Sequence, residues 1–161
     1  MSEKRSGPGT VSIYVIMARL FAYIAREVIE RFGAEGEAAI RAAVGKFGED
    51  RGRVIAQNVR AAGKEITADN YLPYYDMERS ELFSATDKAT KTRIDQEFSA
   101  CIFAKAWQDL GMEKYGLLYC EEIDPAIARG YDPKFGCKHD RFLLKGDGCC
   151  HFNFELEDCN K

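Results

Sequence analysis

The reactive chemistry of this chain is concentrated in its C-terminal half, around Cys150, Asp147, Asp124, Cys120 and Cys101. Cys150 follows a Gly146-Asp147-Gly148 turn and opens an alternating run. In a strand, Cys150, Phe152, Phe154 and Leu156 then share one face, and His151, Asn153 and Glu155 the other. A thiol at the head of an apolar row, beside a carboxylate, is a candidate nucleophile. It needs a base or a positive field to ionise. His151 is adjacent but points the opposite way, so His139 is the better base candidate. Lys138, Arg141 and Lys145 are further cations near it in the sequence. Asp147 and Asp124 offer the alternative route, a carboxylate that activates water.

Each of these residues also has a plain structural reading. Asp147 suits a turn, where its carboxylate satisfies backbone N–H groups. Asp124-Pro125 suits a helix start, with Asp as N-cap and Pro in the first turn. Cys101 and Cys120 suit a core, since free cysteine packs as a small hydrophobe. Cys137 and His139, with Cys149, Cys150 and His151, are the available soft metal donors. Their spacing matches no usual structural zinc pattern, and no metal or cofactor is expected. Phosphate-binding, dinucleotide-binding, nucleophile-elbow and zinc-protease signatures are all missing from the sequence.

The elements that position these residues can be read from periodicity. A helix is expected from Thr10 or Ser12 to about Arg31, with Gly33 as its stop. Ser12, Arg19, Tyr23, Arg26 and Glu30 form its polar stripe, so most of its surface is expected to be buried. A second helical segment runs from about 35 to 62, with a break expected near Gly48-Glu49-Asp50 because glycine weakens helices. Tyr71-Leu72-Pro73-Tyr74-Tyr75 is an aromatic connection, and Tyr74 is a candidate ligand contact. A hairpin follows, 81–85 with 91–98, around Thr86-Asp87-Lys88. Then come a short helix at 100–110, a strand at 114–120, a helical turn from Asp124 to Gly130, and strands at 138–145 and 150–157. Phe142, Leu144, Phe152 and Phe154 should face the helices. The layout is α+β, with N-terminal helices packed on a C-terminal antiparallel sheet of about four or five strands. Residues 1–9 are expected to be a disordered tail, and 10–161 a single domain.

Composition excludes several classes. With 161 residues and 46% hydrophobic content, the chain can bury a core without disulfide staples. Its net charge is −3, with both signs mixed along the sequence. No basic patch suggests nucleic acid, and no polybasic stretch suggests a membrane. Arg19 and Arg26 interrupt the apolar N-terminal run, which reads neither as a signal peptide nor as a membrane span. A cytoplasmic protein with reduced cysteines is the expectation. A small-molecule substrate is the expected partner, and a homo-oligomer is left open.

The sequence resembles the L-2-amino-thiazoline-4-carboxylic acid hydrolase family. The residues that carry the likeness are Cys101 to Gly111 with Trp107, Tyr119-Cys120 to Asp124, Gly130 to Pro133, and Gly146-Asp147 to Cys150 and Phe152. The likeness spans roughly residues 12 to 157. It implies hydrolytic opening of a cyclic C–N substrate: an amidine, thiazoline, imide or lactam-like ring. It carries over Cys101, Cys120, Asp124, Asp147 and Cys150 as site positions. Cys150, Asp147 and Asp124 are then the catalytic candidates, and Cys120, Cys101, His139 and Tyr74 the substrate-binding ones. Cys150 and Asp147 are expected in one pocket, with Asp124 and Cys120 on its wall. The competing readings are a non-enzymatic sensor or carrier with an apolar pocket, and a metal-dependent hydrolase.

Overall fold

The computed structural model describes residues 9–78 and 81–157; most of the tail expected at 1–9, and Cys159, lie outside them. In chain order the elements are α1 (Ile13–Ala61), α2 (Ala68–Tyr71), β1 (Phe83–Ala89), β2 (Arg93–Cys101), α3 (Ile102–Gln108), α4 (Glu113–Tyr131), β3 (Phe135–Arg141) and β4 (Cys150–Leu156). A single 3-10 turn, Leu143–Lys145, links β3 to β4. The four strands form one antiparallel sheet in the order β1-β2-β4-β3. This is the expected α+β arrangement of helices on an antiparallel sheet.

Helix α1 is capped by the Ser12 side chain, which accepts from the Tyr14 N–H. It consists of two limbs, 13–32 and 34–61, joined at Gly33, whose φ of 58° only glycine adopts readily. The stop read at Gly33 is therefore a kink. The expected break near Gly48 is absent, and the second limb runs on to Ala61. Tertiary packing explains why. A Cβ at Gly48 would lie 2.6 Å from the Ala126 Cβ, and one at Gly52 would overlap the Ile127 carbonyl. On the other side, a Cβ at Gly130 would overlap the Glu49 carbonyl. These glycines are the contact surface on which α1 and α4 cross, and the packing gained offsets their weak helix propensity.

The first limb corrects a second expectation. Ala18, Ala22 and Ala25 are buried, but Ile13, Ile16, Met17, Leu20, Tyr23 and Ile24 are each about half exposed or more. Apolar character showed a helix there without showing which face is covered.

The expected strand at 114–120 and helix start at Asp124 are both replaced by α4. Tyr115, Leu118, Ile123, Ala126, Ile127 and Tyr131 are its buried positions, a helical spacing that seven residues are too few to reveal. Pro125 sits inside this helix and withholds the N–H that would meet the Glu121 carbonyl.

In the sheet, the hairpin turns at 90–92 rather than 86–88. The segment 138–145 is strand only to Arg141. Phe142 and Leu144 are nevertheless buried, as are Phe152 and Phe154, whose strand alternates as expected. The Trp107 Nε1–H donates to the Ala18 carbonyl at 2.7 Å and ties α3 to the first limb. No helix among the described residues is long and apolar enough to cross a membrane.

The crossing predicts opposite outcomes for two glycines in one helix. Gly52→Ala should destabilise the protein by about 2 kcal/mol or more through overpacking. Gly45, where a Cβ meets nothing within 4 Å, should gain about 0.5–1 kcal/mol on Gly45→Ala. Urea denaturation of the two variants measures this. Equal effects would contradict the packing account.

Candidate functional site

Helix α4 presents Tyr119, Cys120, Ile123 and Asp124 on one face, spaced by one and four residues, toward the inner face of the sheet. From the sheet come Gln96, Phe98 and Cys101 of β2, His139 of β3, and Cys150, Phe152 and Phe154 of β4. Strand register sets their neighbours: Cys150 pairs with Phe98, and Phe152 with Gln96 on one side and His139 on the other. Arg51 enters from α1, and Tyr71, Leu72, Pro73, Tyr75 and Met77 close the opposite wall. Together they enclose a cavity of about 650 Å³, a size suited to a small organic ligand.

Asp124 dominates its electrostatics. Burial raises its carboxyl from 3.8 to about 6, and the Arg51 charge holds it back from rising further. No ion pair or hydrogen bond from the described residues engages its carboxylate. Its side chain lines the cavity. Arg51 is the cation on the wall, and it is largely committed elsewhere. Its Nε and Nη2 donate to the two Asp76 oxygens at 2.9 and 2.7 Å, and its guanidinium lies 5.1 Å from the Tyr75 ring centre. Burial opposes the Arg51 charge, but the Asp76 carboxylate more than compensates and raises its pKa.

The thiols are held protonated. Burial lifts Cys150 to about 11, while the Leu143 N–H, which donates to its Sγ at 3.4 Å, works the other way. Burial raises Cys120 as well, reinforced by Cys101, Cys150 and Asp124, and it raises Cys101. Asp124 adds to the upward shift of each. Three thiols therefore share the cavity with the Asp124 carboxylate, and Glu78, Glu81 and Asp87 also line it. Cys149 is buried but does not line it.

His139 does not supply a positive field. Burial depresses it to about 4, so the ring is neutral at pH 7. Its Nδ1 lies 3.1 Å from the Cys120 carbonyl, which can only accept, so Nδ1 carries the proton and Nε2 a lone pair. Nε2 is buried without a hydrogen-bond partner, as is the Tyr71 hydroxyl. The ring stacks on Phe142 at 3.6 Å and leans on Phe152 at 4.0 Å. It forms wall rather than an accessible base.

Two expected site residues lie elsewhere. Asp147 is exposed, and its Oδ2 accepts from the Phe142 N–H at 2.7 Å. Its turn chemistry governs its position, and it does not share the cavity with Cys150. Tyr74 packs half-buried against the core without lining the cavity, and its neighbours Tyr71 and Tyr75 line it instead. The cations near His139 in the sequence, Lys138, Arg141 and Lys145, are also outside the lining; Arg141 pairs with Glu97, and Lys145, in the 3-10 turn, with Glu121. The aromatic stretch 71–75 reads as a candidate ligand contact in the sequence, with Tyr74 singled out where Tyr71 and Tyr75 line the cavity; Arg51 and Tyr119 were missed because segments far apart in sequence bring them together. Among the described residues no cluster of His, Cys, Asp and Glu could hold a metal ion.

Residues 14–154 match the sequence model of the L-2-amino-thiazoline-4-carboxylic acid hydrolase family. No curated protein matches the chain significantly. Among solved structures, a trafficking protein particle complex subunit 3 from Naegleria fowleri, covalently bound to palmitic acid, shares the fold. The TM-score is 0.55 and the identity 14%, over 90% of this chain and 95% of that one.

The buried carboxylate predicts a pH signature. A carboxyl raised from 3.8 to about 6 in the folded state stabilises the fold fully only below the unfolded value, and that contribution is lost as pH rises through about 6. Asp124→Asn should therefore be more stable than wild type at pH 8 by up to about 3 kcal/mol relative to their difference at pH 4. Urea denaturation at the two pH values measures this. A stability difference that does not change with pH would contradict the shift.

Proposed function

The chain belongs to the L-2-amino-thiazoline-4-carboxylic acid hydrolase family, and from that premise we propose that it opens a small cyclic amidine or thiazoline ring, with Asp124 activating the water. The family name is that of a hydrolase. The observation that carries the finer reading is the buried carboxylate of Asp124, unpaired among the described residues, in the wall of the cavity.

A protonated cyclic amidine is a planar cation with N–H donors, and a desolvated carboxylate pairs well with it. A carboxyl titrating near 6 is also suited to moving protons at neutral pH. In the proposed step, the Asp124 carboxylate takes a proton from water as the water oxygen bonds to the sp² ring carbon. The tetrahedral adduct then collapses: its hydroxyl oxygen becomes a carbonyl and releases its proton to solvent, the bond from that carbon to the departing ring atom breaks, and the departing atom takes the proton back from Asp124. One water is consumed and the carboxylate is regenerated. Imides and lactam-like rings would react by the same route, though without the cation pairing.

In this scheme Cys150, Cys120 and Cys101 shape the cavity. A Cys150 thiol lifted to about 11 is a weak nucleophile at rest, which favours water over covalent attack. Asp147, exposed at its turn, has no part in it. A carrier or sensor is the second reading, favoured by the aromatic and aliphatic walls around Phe98, Phe152 and Phe154. It would bind a ligand without consuming it.

A panel of cyclic amidines, thiazolines and imides, assayed for ring opening, tests the proposal. The expected kcat/KM falls as pH drops through about 6, because the carboxylate is the active form. Asp124→Asn should lose about 10²-fold or more, while Cys150→Ala keeps most activity. Full activity of Asp124→Asn would refute the role of the carboxylate. A dead Cys150→Ala, with iodoacetamide inactivation blocked by substrate, would move the attack to the thiol. Tight binding without turnover across the panel would favour the carrier.

A further inference from the structure

All ten large hydrophobic side chains that are exposed among the described residues lie on α1 or just before it. Eight fall within 11–32, from Val11 at 43% to Phe32 at 62% exposed. Ile13, Ile16, Met17, Leu20 and Ile24 recur at intervals of three and four, so they form one stripe along the first limb. The limb's opposite face, with Ala18, Ala22 and Ala25, is the one that packs on the rest of the protein. Exposed apolar patches on monomers seldom exceed ~300–600 Å². These eight side chains expose on the order of 800 Å², which is what each partner buries in a standard interface.

We propose that the first limb of α1 is the interface of a homodimer, formed by two copies of this chain packed antiparallel about a two-fold axis near Leu20. The sequence of the limb is self-complementary about that point. Leu20 meets Leu20 of the partner subunit. Ile16 falls opposite Ile24 of the partner subunit, and Met17 opposite Tyr23 of the partner subunit. An isologous contact requires such self-matching. Ile13, in the first turn, falls opposite Glu27 of the partner subunit. The first turn of α1 carries no acidic residue of its own, and an anion there is favourable at the positive end of the helix. Close by, Met17, Phe21 and Phe47 line an apolar groove of about 260 Å³, which a neighbouring helix can fill.

Charge distinguishes this occupant from a lipid surface. A helix that lies on a membrane carries a basic polar face. Here Arg19 and Arg26 share their edge with Glu30, and Glu27 interrupts the stripe and pairs with Arg31. The mixture suits a protein partner of the same composition.

Sedimentation equilibrium of the full chain tests the proposal. Wild type should be a dimer at concentrations up to about 100 µM. Leu20→Glu should raise the dimer Kd by more than about 100-fold through like-charge contact on the axis, and Leu20→Lys should do the same. Because Leu20 is 59% exposed, both variants should keep the wild-type circular dichroism. Mixing the Leu20→Glu and Leu20→Lys proteins should restore a dimer, an outcome that a folding defect cannot mimic. A wild type that stays monomeric at about 100 µM, with or without binding to anionic vesicles, would overturn the proposal. So would a dimer that Leu20→Glu leaves intact.

Discussion

The site depends on how closely α1 can approach α4. Gly48 and Gly52 on one helix and Gly130 on the other remove the side chains that would hold the axes apart. Arg51, next to Gly52, is thereby carried to the cavity wall, within electrostatic reach of Asp124. The same closeness strips water from the Asp124 carboxylate without giving it a partner. A larger residue at any of these glycines would separate the helices and change both effects together, because cores respond to volume in discrete repacking rather than smooth yielding.

Desolvation then sets the protonation state of the buried thiols, imidazole and carboxyl that line the cavity. It keeps the Cys101, Cys120 and Cys150 thiols neutral, the His139 ring neutral and the Asp124 carboxyl close to half ionised in mildly acidic solution. Arg51 pulls Asp124 the other way, and its own guanidinium is held by Asp76 in a two-point contact. A buried carboxylate held near neutrality by burial, in a concave site, is the kind of group that functional sites maintain at the expense of stability.

Much of the sheet was legible in the sequence because strands β2 and β4 alternate strictly. Ile94, Gln96 and Phe98 face inward, as do Cys150, Phe152 and Phe154, so the orientation of Cys150 toward an interior followed from period alone. The site was only half legible. Cys101, Cys120, Cys150, Asp124 and His139 do meet in one cavity, but Asp124 does so from mid-helix rather than as a cap. Asp-Pro is good helix-start chemistry, yet a helix already running from Glu113 absorbs it. Asp147 went the other way: flanked by glycines, its carboxylate closes its own turn on the Phe142 N–H. The aromatic run 71–75 did signal a candidate contact, but not which of its rings faces the cavity, and Arg51 and Tyr119 gave no local signal, since their roles arise only where α1, α4 and the 71–77 segment converge. The apolar first limb shows the limit of periodicity most clearly, because hydrophobic spacing marks a face without saying what covers it.

Carboxyl ¹³C NMR of Asp124, titrated with and without a bound cyclic amidinium, tests the central claim most directly. The account predicts a midpoint of about 6 in the free protein, moving down when the cation binds because the charged carboxylate is then stabilised. A midpoint at the ordinary value of 3.8, unmoved by the amidinium, would contradict it.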